Sequence, residues 1–287
     1  VDEQLSDVWI YDFATKIEKQ ITQSHNAHCG KWLNKNEVVV VSDNNIWKID
    51  LRDQTKKLLQ SGNDIINLEI DPTSHYIIYQ RIGENVGQYV YFDLLALDIN
   101  CETGAEVMIY QNIGPMVFCC FEEKIYYYQH SQELIDENPY NKIFIKRFEI
   151  KTGKKETIHN FFWSKMLNLN EKVLQISYNP INNSLEYLVN FFELSADGLQ
   201  KDSQYFLYEK NLEDETTTNR GLYFYTNEED TTFVSSFCKG IMPNHWFISL
   251  VKAGQEGRTW IYNYDEKTKK LELLLKNADN PALEPNY

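Results

Sequence analysis

Along residues 45–60, N-I-W-K-I-D-L-R-D-Q-T-K-K-L-L-Q, apolar Ile46, Ile49 and Leu51 stand among polar neighbours. A polar turn follows at Asp53, Gln54 and Thr55, then a second short apolar run at Leu58 and Leu59. Two short apolar runs flanking turn-forming residues predict a β-hairpin. The same pattern recurs on the turns Thr15-Lys16, Thr55-Lys56, Thr103-Gly104, Thr152-Gly153 and Thr268-Lys269. An apolar residue stands four positions before each Thr: Tyr11, Leu51, Ile99, Phe148 and Tyr264. A degenerate sixth copy is read at residues 195–198, S-A-D-G, which makes the successive spacings 40, 48, 49, 45 and 71.

A second pair of strands is predicted between hairpins. Residues 29–33 and 37–41 flank Asn34-Lys35-Asn36, and residues 65–70 lead through Asp71-Pro72-Thr73-Ser74 into 76–79. Residues 116–121 and 125–128 flank Glu122-Glu123; 165–169 pairs with 173–177, and 232–237 with 246–251. Each unit therefore reads as four strands, A to D, with the Thr turn between C and D. Short strands at a period of about 40–50 residues predict a β-propeller. The expected fold is all-β, with about six four-stranded blades; five or seven also accommodate the spacing. Residues 1–287 read as one domain with a C-terminal tail at 276–287.

Two irregularities stand out. The hairpin at residues 7–22 has no A and B strands before it, so upstream residues or the tail complete that blade, or it stays partial. Extra residues before the last hairpin (204–208, an acidic turn at 213–218, and 222–225) read as an added hairpin or a distorted blade. Trp9, Trp47 and Trp260 recur early in C strands and are expected to pack between blades.

The Asp-Pro turn before I-I-Y (Asp71 to Tyr79), together with the Φ-x-Φ-D-x-x-T-G hairpin, resembles the TolB-like propeller repeat. Related propellers precede the catalytic domain of prolyl oligopeptidases and dipeptidyl peptidases. The resemblance implies a fold and a habit of binding, and it carries over no functional residue. No G-x-S-x-G nucleophile elbow occurs in the chain.

Composition narrows the function classes. Hydrophobic residues are 43%, charged residues 24% and aromatics 14%, including 19 Tyr and 15 Phe, which favours pleated, half-buried surfaces. A net charge of −14 repels phosphate backbones and anionic bilayers, so neither nucleic acid nor a membrane is an expected partner. No run is long enough for a transmembrane helix. The five cysteines form neither a C-x-x-C pair nor a regular disulfide framework, so buried free thiols are expected. They lean towards a cytoplasmic, reducing compartment, whereas the TolB-like resemblance leans towards the cell envelope. The chain opens on Val1 without a Met, so residues upstream are expected.

Candidate chemistry concentrates on the predicted B–C and D–A connections, because long loops on one end of a rigid ring are where binding resides. The B–C loops are read at residues 82–88, 129–139, 178–183 and 252–258. His25, His28 and Cys29 on a D–A loop have neighbouring imidazole and thiolate ligands but no second cluster, so no metal is assigned. His130, Glu133, Asp136 and Glu137 share one loop and could serve as acid and base, though acidic loops are ordinarily just solvated. Arg81 could clamp a carboxylate or pair with local acids, and Trp163 could stack on a sugar or peptide or belong to the core. Asn182-Asn183-Ser184 is an N-x-S sequon.

The expected ligand-binding set is His28, Arg81, His130 and Trp163, with no catalytic residue and no cofactor. The function expected is a non-catalytic binding or scaffolding propeller that engages a protein or peptide through its long-loop face. A hydrolase or lyase acting on a glycan or peptide at the channel mouth, and a sensor or accessory domain of a longer protein, stay open as alternatives.

Overall fold

The computed structural model describes residues 6–62, 64–73, 75–86, 89–101, 105–113, 117–135, 138–164, 169–194, 200–226, 232–239, 244–252, 259–279 and 281. Every regular element among them is a β-strand. A hairpin of β1 (Trp9–Asp12) and β2 (Ile17–Gln20) comes first. Blade I follows with β3 (Ala27–Asn34), β4 (Glu37–Ser42), β5 (Asn45–Asp50) and β6 (Lys56–Ser61). Blade II holds β7 (Ile65–Ile70), β8 (Tyr76–Val86), β9 (Tyr89–Asp98) and β10 (Glu106–Ile113). Blade III holds β11 (Phe118–Phe121), β12 (Lys124–Ile135), β13 (Asn138–Glu149) and β14 (Lys155–Ser164). Blade IV holds β15 (Leu169–Asn179), β16 (Ser184–Leu194), β17 (Gln200–Asn211) and β18 (Thr217–Thr226). Blade V holds β19 (Thr232–Lys239), β20 (His245–Lys252), β21 (Thr259–Asp265) and β22 (Lys270–Lys276).

Within each blade the strands pair antiparallel in chain order, and the first strand of one blade lies against the first strand of the next from I to V. The first strands are thus innermost, which is propeller geometry. The alternation of apolar residues is what stacks the blades. In β8, Ile77 and Tyr79 face blade I while Ile78 faces blade III. In β12, Ile125 and Tyr127 face blade II while Tyr126 faces blade IV. In β16, Tyr187 and Val189 face blade III while Leu188 faces blade V. With both faces of a strand buried, a polar replacement on either one enters a core.

The described residues form five four-stranded blades, within the expected five to seven but not the favoured six, and the sixth sheet is the two-stranded β1–β2 hairpin. The hairpin docks on blade I through Val8, Ile10 and Ile21 against Val38, Val40 and Ile49. It reaches blade V where Phe13 stacks on Phe247 with ring centroids 5.4 Å apart. A bulge in β3 between His28 and Lys31 makes room for the segment leading into β1. There a Cβ on Gly30 would lie 2.7 Å from Val8 Cγ1, so any larger residue would force Val8 to shift.

The turn at residues 195–198 is also corrected. Residues 195–199 lie outside the described residues and connect β16 to β17, which makes them a B–C connection. The extra stretches at 204–208 and 222–225 are strands C and D of blade IV rather than an added hairpin. The true C–D turn of blade IV is the acidic one, capped by Asn211 and Asp214. It was missed because it lacks the Thr-Gly or Thr-Lys pair. Trp9 is a further correction: it is 54% exposed rather than packed between blades.

The hairpin turns share one device. Positive φ falls at Lys16, Gln54, Gly153, Glu215 and Lys269, each four residues after Asp12, Asp50, Glu149, Asn211 and Asp265. Asp12, Asp50, Asn211 and Asp265 accept backbone N–H bonds inside their turns, which fixes each reversal. In the turn after Asp50 the left-handed residue is Gln54, so the Thr55-Lys56 alignment is two residues late.

Candidate functional site

The blades share a baseline at their A–B turns but differ in height at the opposite end. Strand B runs six residues in blade I, against 11, 12 and 11 in blades II, III and IV and eight in blade V. At roughly 3.3 Å per residue, the extra five or six residues raise these three hairpins by roughly 15–20 Å. The described residues of two expected loops, 82–86 and 129–135 with 138–139, are therefore strand; residues 87–88 and 136–137 lie outside the described residues. β8 and β9 stay paired up to Val86 and Tyr89, and β12 and β13 up to Ile135 and Asn138. A third expected loop, residues 178–183, is the A–B turn of blade IV and opens on the opposite face. The fourth, between β20 and β21, spans residues 253–258, outside the described residues.

Arg81 sits where the blade II hairpin begins to rise, directly opposite Asp93. Its Nε is 3.9 Å from Asp93 Oδ2 and its Nη1 3.8 Å from Glu106 Oε2. The Tyr79 hydroxyl donates to Glu106 and is pushed up by burial and by that carboxylate. Asp93 is 7% exposed, its Oδ1 has no hydrogen-bond partner among the described residues, and a Cβ on Gly83 would come within 3.1 Å of that oxygen. One guanidinium between two carboxylates leaves the group net negative. Its chemistry is that of an ion-pair brace at the hairpin base rather than a carboxylate clamp.

The other expected residues do not converge with it. His28 lies in β3, not a loop, and its Nε2 is 3.0 Å from the Ile65 carbonyl oxygen of blade II. His25 faces Asp7, with Nδ1 2.9 Å from Oδ2. Burial pushes the Asp7 carboxyl up, but Thr22, His25 and Gln20 outweigh it and hold it below the usual range. The Cys29 thiol donates to the Ile66 carbonyl oxygen at 3.4 Å. The three neighbours in sequence thus point to three different partners. Among the described residues no group of three His, Cys, Asp or Glu could hold a metal ion. His130 lies in β12 opposite Ile143, and Trp163 in β14 opposite Asn141; their side chains lie outside the described residues. Asp136 and Glu137 lie outside them altogether.

Sequence reasoning missed the innermost wall. Lys31 Nζ is 2.6 Å from Glu69 Oε1, joining β3 to β7. Four thiols stand on the inner strands β3, β11 and β19. Burial pushes Cys29 up to about 11 and Cys238 up to about 12, with Lys31 pulling the other way in both. Cys119 and Cys120 are raised by burial as well. The available signal was the recurrence of Cys in or directly after predicted A strands.

No family model matches the chain, and no curated protein matches it in sequence. Solved structures do match in fold. A putative TolB from Agrobacterium tumefaciens superposes with a TM-score of 0.58 at 11% identity, over 96% of this chain and 90% of that one. An oligogalacturonate lyase in complex with manganese gives 0.57 at 11%, over 94% and 70%. A luciferin-regenerating enzyme gives 0.53 at 13%, over 86% and 77%. The TolB-like resemblance therefore holds for the fold. The proteins that share it differ in function, so the fold does not choose among them.

Proposed function

We propose that the protein is a binding or scaffolding propeller that engages a protein or peptide through the raised hairpins of blades II, III and IV. The observation that carries this reading is their height: three neighbouring blades project on one face, whereas blade I ends flush. Paired strands hold their side chains with less conformational freedom than loops do, so a surface built on them loses little entropy on binding. No described constellation supports the hydrolase or lyase alternative, because His28 is tied to a backbone carbonyl and Arg81 to two acids.

The test replaces residues 131–142 by a two-residue Asn-Gly turn, which closes the shortened β12–β13 hairpin in the same register. Peptides selected on the wild type from a displayed random library should lose binding to this variant by at least tenfold while its melting temperature is kept. Selected peptides that bind both proteins equally would move the site off this face. Glycan or peptide turnover by the wild type would replace the binding reading with the enzymatic one.

A further inference from the structure

The sequon Asn182-Asn183-Ser184 is the single N-x-S/T in the chain, and the structure places it on the A–B turn of blade IV, between β15 and β16. That turn is exposed and well built. Ile181 is 91% exposed, and its N–H donates to Asn179 Oδ1 at 3.1 Å. Asn183 takes a φ of 45°, accepts from the Tyr178 hydroxyl at 2.9 Å and donates to Glu213 at 3.2 Å. Asn182 is exposed, and its Nδ2 donates to Glu209 Oε1 at 3.3 Å. A side-chain amide carries two N–H donors. Replacing one by a sugar keeps the other for Glu209, so the fold tolerates the substitution. Beside Asn182 lies an open depression of about 370 Å³, lined also by Glu209, Asn211, Thr216 and Thr218. It offers hydroxyl, amide and carboxylate partners to a sugar ring.

We propose that Asn182 is an N-glycosylation site, modified before blade IV folds. In the transfer, the Asn182 amide nitrogen forms a bond to C1 of a lipid-diphosphate-linked oligosaccharide. The nitrogen loses one proton, and the lipid diphosphate leaves with the C1–O bonding pair. The timing follows from Ser184: it is fully buried, and its hydroxyl donates to the same Glu209 oxygen at 2.9 Å. The folded turn therefore hides the hydroxyl that a transferase reads, while the open chain presents it. A glycan here stands on the face opposite the raised hairpins, and the inference is independent of what they bind.

The experiment expresses the chain behind a cleavable secretion signal in a eukaryotic host and reads the intact mass with and without an N-glycanase. The expected result is one glycan per chain, removed by the enzyme and absent in Asn182→Gln, an exposed substitution that leaves the fold in place. Ser184→Thr, which keeps a hydroxyl, should stay glycosylated. Separately, purified unglycosylated protein is incubated with oligosaccharyltransferase and its lipid-linked donor. The folded protein should stay unmodified, and a peptide of residues 178–188 should be modified. A secreted wild type of unmodified mass overturns the site. Equal modification of folded protein and peptide overturns the timing.

Discussion

Asp71 shows how much one side chain does in this ring. Its carboxylate, 1% exposed, accepts from the Thr73 N–H and hydroxyl within its own turn. It also accepts from the backbone N–H groups of Glu122 and Glu123 in the next blade, at 3.2 and 2.6 Å. The Asp-Pro turn is thus a clasp between blades II and III rather than a local reversal alone. Asp71→Ala should cost about 3 kcal/mol, since charged hydrogen bonds are lost and donors are stranded. Calorimetry should show the midpoint falling by about 2–4 °C per kcal/mol. Asp71→Asn should lose less, because the amide keeps one acceptor oxygen. His159 provides a pH-dependent case. Burial, with help from Lys210, lowers it to about 4, against 6.5 for the free side chain. The unfolded chain therefore binds the proton first as pH falls. Its contribution to stability is complete above about 6.5, declines towards about 4 and levels off below. His159→Phe keeps an aromatic ring beside Tyr187, whose centroid is 6.0 Å away. Denaturant titrations should show the variant losing part of the decline over that window; an identical pH slope in both proteins would remove His159 as its source.

At the scale of elements, the turns differ in how well their residues suit a left-handed backbone. Gly153 adopts a φ of 69° with nothing within 4 Å of its missing Cβ, so the site is permissive in space and demanding only in dihedral. Lys269 holds the equivalent position of blade V at 57°. Gly153→Ala should therefore destabilise by about 1 kcal/mol, and Lys269→Gly should stabilise by a similar or smaller amount. Opposite shifts of the melting midpoint would confirm that dihedral strain separates these turns. Shifts of the same sign would mean that side-chain contacts decide instead.

At the scale of the whole molecule, each inter-blade core is shared by two neighbours, so no blade from II to IV can open without exposing two cores. The inner-strand thiols report on this. Burial keeps Cys29, Cys119, Cys120 and Cys238 protonated at pH 8, and a protonated thiol alkylates slowly. Iodoacetamide should leave these four unlabelled in the native protein and label them with one common rate constant once denaturant opens the ring. Mass spectrometry of the time course checks this; stepwise labelling, blade by blade, would mean that the blades open as separate units.

The two-residue alternation of apolar positions determined the strands, their pairing into hairpins and the propeller class, because burial on both faces of each blade leaves a periodic imprint on the chain. Turn-forming residues also located the reversal at Asp71-Pro72 and the C–D turns of blades III and V at Gly153 and Lys269; Thr103-Gly104 lies outside the described residues. The blade count was not legible. A hairpin that packs on blade I through Val8, Ile10 and Ile21 has the same local pattern as one inside a full blade. Its missing partner strands leave no mark on its own residues. Blade IV was misread for the opposite reason: its C–D turn uses Asn211 and Asp214 in place of Thr-Gly, so the residues before it looked like an insertion. The candidate site was legible only as the face on which it lies. Whether an Arg such as Arg81 meets a ligand or two acids, and whether a His such as His28 faces solvent or a carbonyl, depends on contacts between residues far apart in the chain. Only the tertiary structure brings those partners together.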